Sequence, residues 1–523
     1  MLPVNPGRLS ILNRFELPLF IGVVLVHVCA LYSLPALVSL DGPGHLYTAR
    51  LLQALARGEE WTAPYFVFNT FPCPNGLADY LLSFFIGWAD PVRIEIYFLI
   101  VYFLLFVTGF RRLMRGFFPD QKGYAWLAFP LVFHVVLVLG FHNFNLGIAL
   151  LWWTLAAYIR YAQQPNWKRS IVLLLLSLLL YFSHLVVFGV FGFFVMAHFA
   201  VSWWENKTAP WFWKKTVIVQ LMVAFLPVFA LALAYFNYET ESSGYVHLSS
   251  TEILKLLYLG KPFELFSHKE GSYYYQMMGV LLICATVSFF WKKQREAFST
   301  WLSVMILFAI LLFIATLLLP DHSTGGGELT RRLAYFTLVA VFISLFFTIR
   351  SATWRSVAVI AIFLVHVARS QFLFHRETIN AVHINEMSKL YDLVQENEIM
   401  WTFNWSGNWL LNHTSKYIAA QKSLIMPDHL GGTKLYTPVM WKDPYRLNQQ
   451  VWCLNFEQWL CDLEKTEQDF HREVRYFMAI GECTEQSIGR DKCEAWQLFL
   501  SDSCQLIGQA ENGYIRLYER KYY

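Results

Sequence analysis

Asp41, His45 and Arg50 fall within one short stretch, Ser39-Leu40-Asp41-Gly42-Pro43-Gly44-His45-Leu46-Tyr47-Thr48-Ala49-Arg50. A carboxylate and an imidazole one helical turn apart can take a proton from a hydroxyl and return one to a leaving group. Pro43 suits the first turn of a helix and Asp41 suits its cap. The competing reading of Asp41 is therefore a helix cap, and that of His45 a polar interfacial residue. A second set is cationic. Arg331 and Arg332 follow the loop Asp321-His322-Ser323-Thr324-Gly325-Gly326-Gly327-Glu328. Guanidinium groups bind phosphate in a bidentate manner, and backbone N–H groups of a glycine run can approach an anion. The competing reading is a flexible loop with two arginines that snorkel to an interface. Two short turns add polar groups: Gly140-Phe141-His142-Asn143-Phe144-Asn145 and Tyr181-Phe182-Ser183-His184-Leu185. His142, Asn143 and His184 are suited to hydrogen-bonding a polar ligand, the competing reading being that each His is a capped turn residue.

The elements that must position these residues are membrane helices. The chain has 523 residues, 56% of them hydrophobic and only 15% charged. Soluble domains carry about 25% charged residues, so most of this chain does not face water. A formal net charge of +4 gives no compositional support to nucleic-acid binding. No P-loop, H-E-x-x-H or dinucleotide fingerprint is present. The first apolar run, Leu19–Leu40, is too long for a cleavable signal peptide and lacks a small-residue cleavage site.

A hydrocarbon core about 30 Å thick needs roughly 20 apolar residues per helix. That rule predicts about eleven spans, at 17–38, 92–110, 124–140, 145–161, 170–185, 187–203, 216–236, 275–290, 299–319, 333–349 and 356–373. Basic residues cluster in alternate loops, as at Arg111, Arg112 and Arg115 or Lys168 and Arg169. The positive-inside rule then puts the N-terminus in the cytoplasm. Asp41–Asp90 and everything after about Phe374 lie on the opposite face. Gly76–Ala89 is too short to span and reads as an interfacial or re-entrant helix. The helix after Asp41, with Leu46, Leu51, Leu52 and Leu55 on one side, is expected to lie along the membrane surface.

Residues 1–373 are thus expected to form a transmembrane domain and 374–523 a small extracytoplasmic α/β domain. In the latter, Ile379–Glu396 reads as an amphipathic helix, and Arg475–Ile480 and Tyr514–Arg520 read as strands. Five cysteines (Cys453, Cys461, Cys483, Cys493, Cys504) crowd into it without C-x-x-C spacing. In an oxidising compartment up to two pairs could be disulfides, with one thiol left over.

The wording D-G-P-x-H-L-Y resembles the first outer loop of bacterial GT-C glycosyltransferases, membrane enzymes that use polyprenyl-phosphate sugars. The stretch Pro74-Asn75-Gly76-Leu77-Ala78-Asp79-Tyr80-Leu81-Leu82, followed by a span ending Phe110-Arg111-Arg112-Leu113, is similar to the second interfacial helix and second span of aminoarabinose and protein mannosyl transferases. The likeness covers about the first 370 residues as an architecture. It implies a polytopic α-helical GT-C-like domain with interfacial helices in its first outer loop. It also implies transfer of a hexosyl or pentosyl group from a polyprenyl-phosphate donor to a glycan, lipid or protein acceptor on the extracytoplasmic face.

On this reading Asp41 is the general base, with inversion at the anomeric carbon, and His45 assists. Arg331, Arg332, His142, Asn143 and His184 bind substrate. Many members of the superfamily carry a D-x-D motif, whereas Asp41 has no acidic neighbour. No cofactor is therefore expected, and a divalent metal is the less favoured alternative. The expected location is a bacterial inner membrane, with the C-terminal domain periplasmic. A transporter or lipid flippase predicts internal repeats and ionisable residues in mid-span; here the polar residues collect at outer ends and no two-fold repeat is seen. The remaining alternative is a non-catalytic subunit of a polysaccharide-assembly system.

Overall fold

A computed structural model describes residues 11–205, 211–238, 246–290, 300–322, 327–429, 436–443, 445, 459–483 and 490–521. The chain forms two compact units. The first comprises 1–32, 99–137 and 143–375; the second comprises 33–98, 138–142 and 376–523. The C-terminal segment shares its unit with residues 33–98, which include Asp41.

The first unit is helical. Among the described residues, eight helices are long and apolar enough to cross a membrane: Glu16–Ser33, Pro91–Phe117, Leu185–Glu205, Lys215–Tyr238, His268–Phe290, Thr300–Leu318, Leu329–Thr348 and Ala352–Leu393. The protein is therefore a multi-pass membrane protein. Large apolar side chains such as Leu226, Phe229, Leu233 and Ile283 stay exposed on these helices, which suits a lipid solvent. Two expected spans, 145–161 and 170–185, correspond to helices His142–Gln163 and Trp167–Ser183.

The expected span at 124–140 is not one helix. It is a 3-10 segment, Lys122–Ala128, and two single turns, Phe129–Val132 and Val135–Val138. Pro130 sits at the start of the first turn, and Phe133 is extended with φ −98° and ψ 114°. A break at this depth frees carbonyls that lipid cannot satisfy. Side chains of the same unit do so instead. Arg369, fully buried, donates from Nη1 to Pro130 O at 3.0 Å and from Nη2 to Phe133 O at 2.8 Å. Arg369 Nη2 also reaches Phe263 O at 3.0 Å. Tyr335 and Tyr102 donate to Leu131 O and Val132 O at 3.1 and 2.9 Å.

Among the described residues the second unit holds two sheets. In the larger, β2 (Met400–Asn404), β4 (Tyr476–Ile480), β6 (Ile515–Arg520) and β5 (Cys504–Ala510) are ordered β2-β4-β6-β5. The β2–β4 pair is parallel and the others antiparallel. Strands β4 and β6 match the expected ones. β4 is buried along its whole length, as a central strand of apolar residues should be. The smaller sheet joins distant parts of the chain: β1 (Phe66–Phe68) pairs antiparallel with β3 (Val439–Trp441), Phe66 opposite Trp441. Their rings lie 4.2 Å apart.

The expected separate helix at Ile379–Glu396 is instead the continuation of a 37-residue helix, Ala352–Ser388. No glycine or proline interrupts that stretch, so nothing stops the helix at the end of its apolar part. A 3-10 turn, Tyr391–Leu393, follows. Of the five clustered cysteines, Cys483, Cys493 and Cys504 carry free thiols, and Cys493 Sγ donates to Cys483 O at 2.8 Å. Cys453 and the side chain of Cys461 lie outside the described residues.

Candidate active site

Asp41 stands at the start of the Gly42–Arg57 helix. Its φ of −97° and ψ of −8° are helix-like, and its side chain makes no capping hydrogen bond. The cap reading of Asp41 is therefore corrected. A capping side chain needs extended backbone geometry to fold back on the next turn, and this backbone does not provide it. The carboxylate is instead 39% exposed. Pro43 does occupy the first turn, and Gly58, left-handed at φ 68°, closes the far end.

The backbone around Asp41 is clamped on two sides. Leu40 N and Asp41 N donate to Val138 O and Leu139 O at 3.0 and 3.1 Å. Gly140, at φ 72°, lies so near Asp41 and Gly42 that a β-carbon there would overlap their backbone atoms. On the other side is Glu95, wholly buried. Ser39 Oγ donates to Glu95 Oε1 at 2.7 Å, and the Tyr417 hydroxyl, itself 3.1 Å from Leu37 O, donates to Glu95 Oε2. A β-carbon on Gly42 would collide with the Glu95 carboxylate and Ser39 Oγ. The two glycines thus let a buried acid and a tight turn grip the loop that presents Asp41.

The Gly42–Arg57 helix is not laid on a surface with one face in water. Leu46, Leu51 and Leu52 are buried, and so are Tyr47, Thr48 and Ala49. Tyr47 donates to Leu424 O at 2.8 Å, and Arg50 donates to Ser423 Oγ and to both oxygens of Glu59. The polar face that seemed fit for an interface is taken up by the C-terminal segment.

His45 and His142 come together with Asp41 in the second unit. His45 Nδ1 is 2.7 Å from Asp79 Oδ1, and Asp79 is only 2% exposed. The rings of His45 and His142 stack at 5.2 Å. His142 Nε2 lies 3.0 Å from Glu95 Oε1 but out of line for a hydrogen bond. Burial of His45 opposes its charge. The Asp79 carboxylate, with Asp41 and Glu95 behind it, outweighs that effect and raises the pKa above the ordinary imidazole value.

Four further groups come from the C-terminal segment. His413 Nε2 is 3.7 Å from Asp41 Oδ1. Lys416, 3% exposed, places Nζ 3.0 Å from His413 Nδ1 and 3.3 Å from Asp428 Oδ2. His429 is buried, with Nε2 3.5 Å from Thr48 Oγ1. Burial, then Lys416, push both His413 and His429 well below the ordinary imidazole value.

The sequence reading missed His413, Lys416, Asp428 and His429, which no local pattern marks. It also passed over Asp79 and Glu95. Those two did carry a signal: Asp79 interrupts an apolar stretch, and Glu95 is an acid inside the Pro91–Phe117 helix, where a carboxylate is costly.

The remaining expected site residues belong to the first unit. Arg332 Nη1 donates to His184 Nε2 at 3.0 Å, and its guanidinium lies over the Phe144 ring at 5.3 Å. Phe144 also meets His184 edge-on at 5.0 Å. Arg331 pairs with Glu328 at 3.0 Å, both about one-third exposed, an arrangement of little energetic weight. Asp321 fixes the start of this helix, its Oδ1 accepting from Thr330 N at 3.0 Å. Asn143 is buried beside Phe144 in sequence. Gly325 and Gly326, offered as an anion cradle, lie outside the described residues. Among the described residues no group of three or more His, Cys, Asp or Glu side chains is arranged to hold a metal ion.

Membrane-length helices, and an α/β segment that shares a unit with the Asp41 loop, are the elements that the Asp41 loop led us to expect. The particular likeness is to the crystal structure of ArnT from Cupriavidus metallidurans bound to undecaprenyl phosphate. The TM-score is 0.55 at 11% identity, over 97% of this chain and 98% of that one. At that identity the likeness is one of fold. No protein-family model matches the sequence, and no curated protein matches it.

Proposed function

We propose that this protein is a membrane glycosyltransferase that moves a sugar from a polyprenyl-phosphate donor to an acceptor on the extracytoplasmic face. The observation that carries the reading is Asp41: a carboxylate 39% exposed, 3.7 Å from His413 Nε2, and set on a loop gripped by Glu95 and Gly140. The GT-C fold supports it, and the solved neighbour holds undecaprenyl phosphate.

In the proposed reaction an acceptor hydroxyl gives its proton to the Asp41 carboxylate. Its oxygen forms a bond to the anomeric carbon from the face opposite the phosphate. The bond from the anomeric carbon to the phosphate oxygen breaks with its electron pair, leaving polyprenyl phosphate and inverted configuration. His45, held by Asp79, supplies positive charge close to the base. Within the unit that holds Asp41, His142 is a further polar group toward sugar or phosphate; Arg331, Arg332, His184 and Asn143 remain the groups proposed from the sequence for the donor phosphate. The reaction so written requires no cofactor, and a divalent metal is the less favoured alternative. The source membrane on this reading is a bacterial inner membrane, and the acceptor is a glycan, lipid or protein.

The test is Asp41→Asn in purified full-length protein, assayed with radiolabelled polyprenyl-phosphate sugars and a membrane extract as acceptor source. Transfer should fall by about a hundredfold or more while the melting temperature holds. Undiminished transfer by this variant ends the assignment.

A further inference from the structure

The pair His413 and Lys416 carries an inference that rests on the reading of Asp41 as the base and extends it. The imidazole stands between an ammonium and a carboxylate. Lys416 Nζ has only donors to offer, so the His413 nitrogen 3.0 Å from it, Nδ1, must be the acceptor. A neutral imidazole with Nδ1 unprotonated carries its hydrogen on Nε2. That nitrogen is the one 3.7 Å from Asp41 Oδ1.

We infer that His413 is a positioning residue for Asp41, locked by Lys416 as the neutral Nε2–H tautomer and aimed as a hydrogen-bond donor at the Asp41 carboxylate. The ion pair of Lys416 with Asp428 at 3.3 Å, and its near-complete burial, fix the ammonium in place. Burial and the cation also disfavour a second proton on His413. The 3.7 Å separation is longer than a hydrogen bond. Such contacts commonly tighten when substrate binds. The groups that face this relay are His45 and His413 toward Asp41, and Lys416 and His429 toward His413.

A donor aimed at a carboxylate favours its ionised form. Losing that donor makes the base easier to protonate, so activity fails at a higher pH on the acid side. The arrangement also makes the C-terminal segment a supplier of the site, since both relay residues come from it.

The experiment uses the full-length protein and pairs kinetics with spectroscopy. His413→Ala should lower kcat about tenfold or more and move the acid limb of the pH–rate profile up by about one pH unit. His413→Gln, which keeps an N–H donor, should restore the limb. Nitrogen NMR of histidine-labelled protein should show His413 as the neutral Nε2–H tautomer, and Lys416→Met should release it to a mixture. An imidazolium or an Nδ1–H tautomer in the wild-type protein overturns the inference. So does His413→Ala with unchanged kcat and limb, provided Asp41→Asn is inactive. Full activity of Asp41→Asn overturns the proposed function instead, and leaves the tautomer result to stand by itself.

Discussion

Gly42 packs its α-carbon directly against the carboxylate of Glu95, and there is no room between them for a methyl group. Glu95 is fully buried and already accepts from Ser39 and Tyr417. It cannot move aside without abandoning those partners. The glycine next to the proposed base is therefore a steric requirement of the loop.

Gly42→Ala should accordingly displace the loop. Forcing a side chain into a filled site costs about 1–3 kcal/mol, so the melting temperature of the detergent-solubilised protein should drop and transfer should fall with it. An alanine variant that melts and turns over like the wild type would show that the loop is looser than this packing requires.

The His45–Asp79 pair predicts a pH dependence. The folded pKa of His45 lies above its unfolded value. Its stabilising contribution is thus complete below about pH 6.5, the unfolded imidazole value, and disappears as pH rises through the higher folded value. Melting temperature followed from about pH 6 to 9 should decline across that window in the wild type. His45→Gln should flatten the decline, and parallel curves for the two proteins would count against the pairing.

Arg369→Met should be severely destabilising. It would strand the carbonyls of Pro130, Phe133 and Phe263, which Arg369 satisfies, at about 1–3 kcal/mol each. Arg369→Lys should rescue little, since an ammonium cannot span the positions of a guanidinium fork. Recovery of monodisperse protein by size-exclusion chromatography is the measurement. Normal recovery of the methionine variant would mean that those carbonyls find other donors.

Arg332→Ala should act on donor affinity. A charged hydrogen bond is worth about 1.5–3 kcal/mol, so KM for a polyprenyl-phosphate sugar should rise roughly ten- to hundredfold. The guanidinium gives up its contacts with His184 and the Phe144 ring face, so the melting temperature is followed alongside KM. A variant with unaltered KM would remove Arg332 from the phosphate site.

Patterns with a short period were legible in the sequence. The apolar spans, the strands at 476–480 and 515–520, and the acid–imidazole spacing of Asp41 and His45 all follow from local chain geometry. The break at Pro130 was hidden, because a proline in an apolar run reads as tolerable. Arg369 and Tyr335, far along the chain, and Tyr102 satisfy its carbonyls. His413 and Lys416 were hidden for the same reason: their meaning depends on a partner in the first outer loop. The helix after Asp41 misled through its apolar face, since burial of Tyr47 and Thr48 by the C-terminal segment leaves no trace in its own residues.

The pairing of β1 with β3 bears on the order in which the protein matures. Phe66–Phe68 are synthesised early, while Val439–Trp441 emerge only after most of the chain has been made. Closing so long a loop is entropically slow. Until it closes, β1 is an unpaired edge, and the loop bearing Asp41 waits for the segment that supplies His413. On the proposed reading, a ribosome stalled before Val439 leaves the Asp41 loop without the tie that β1 makes to β3.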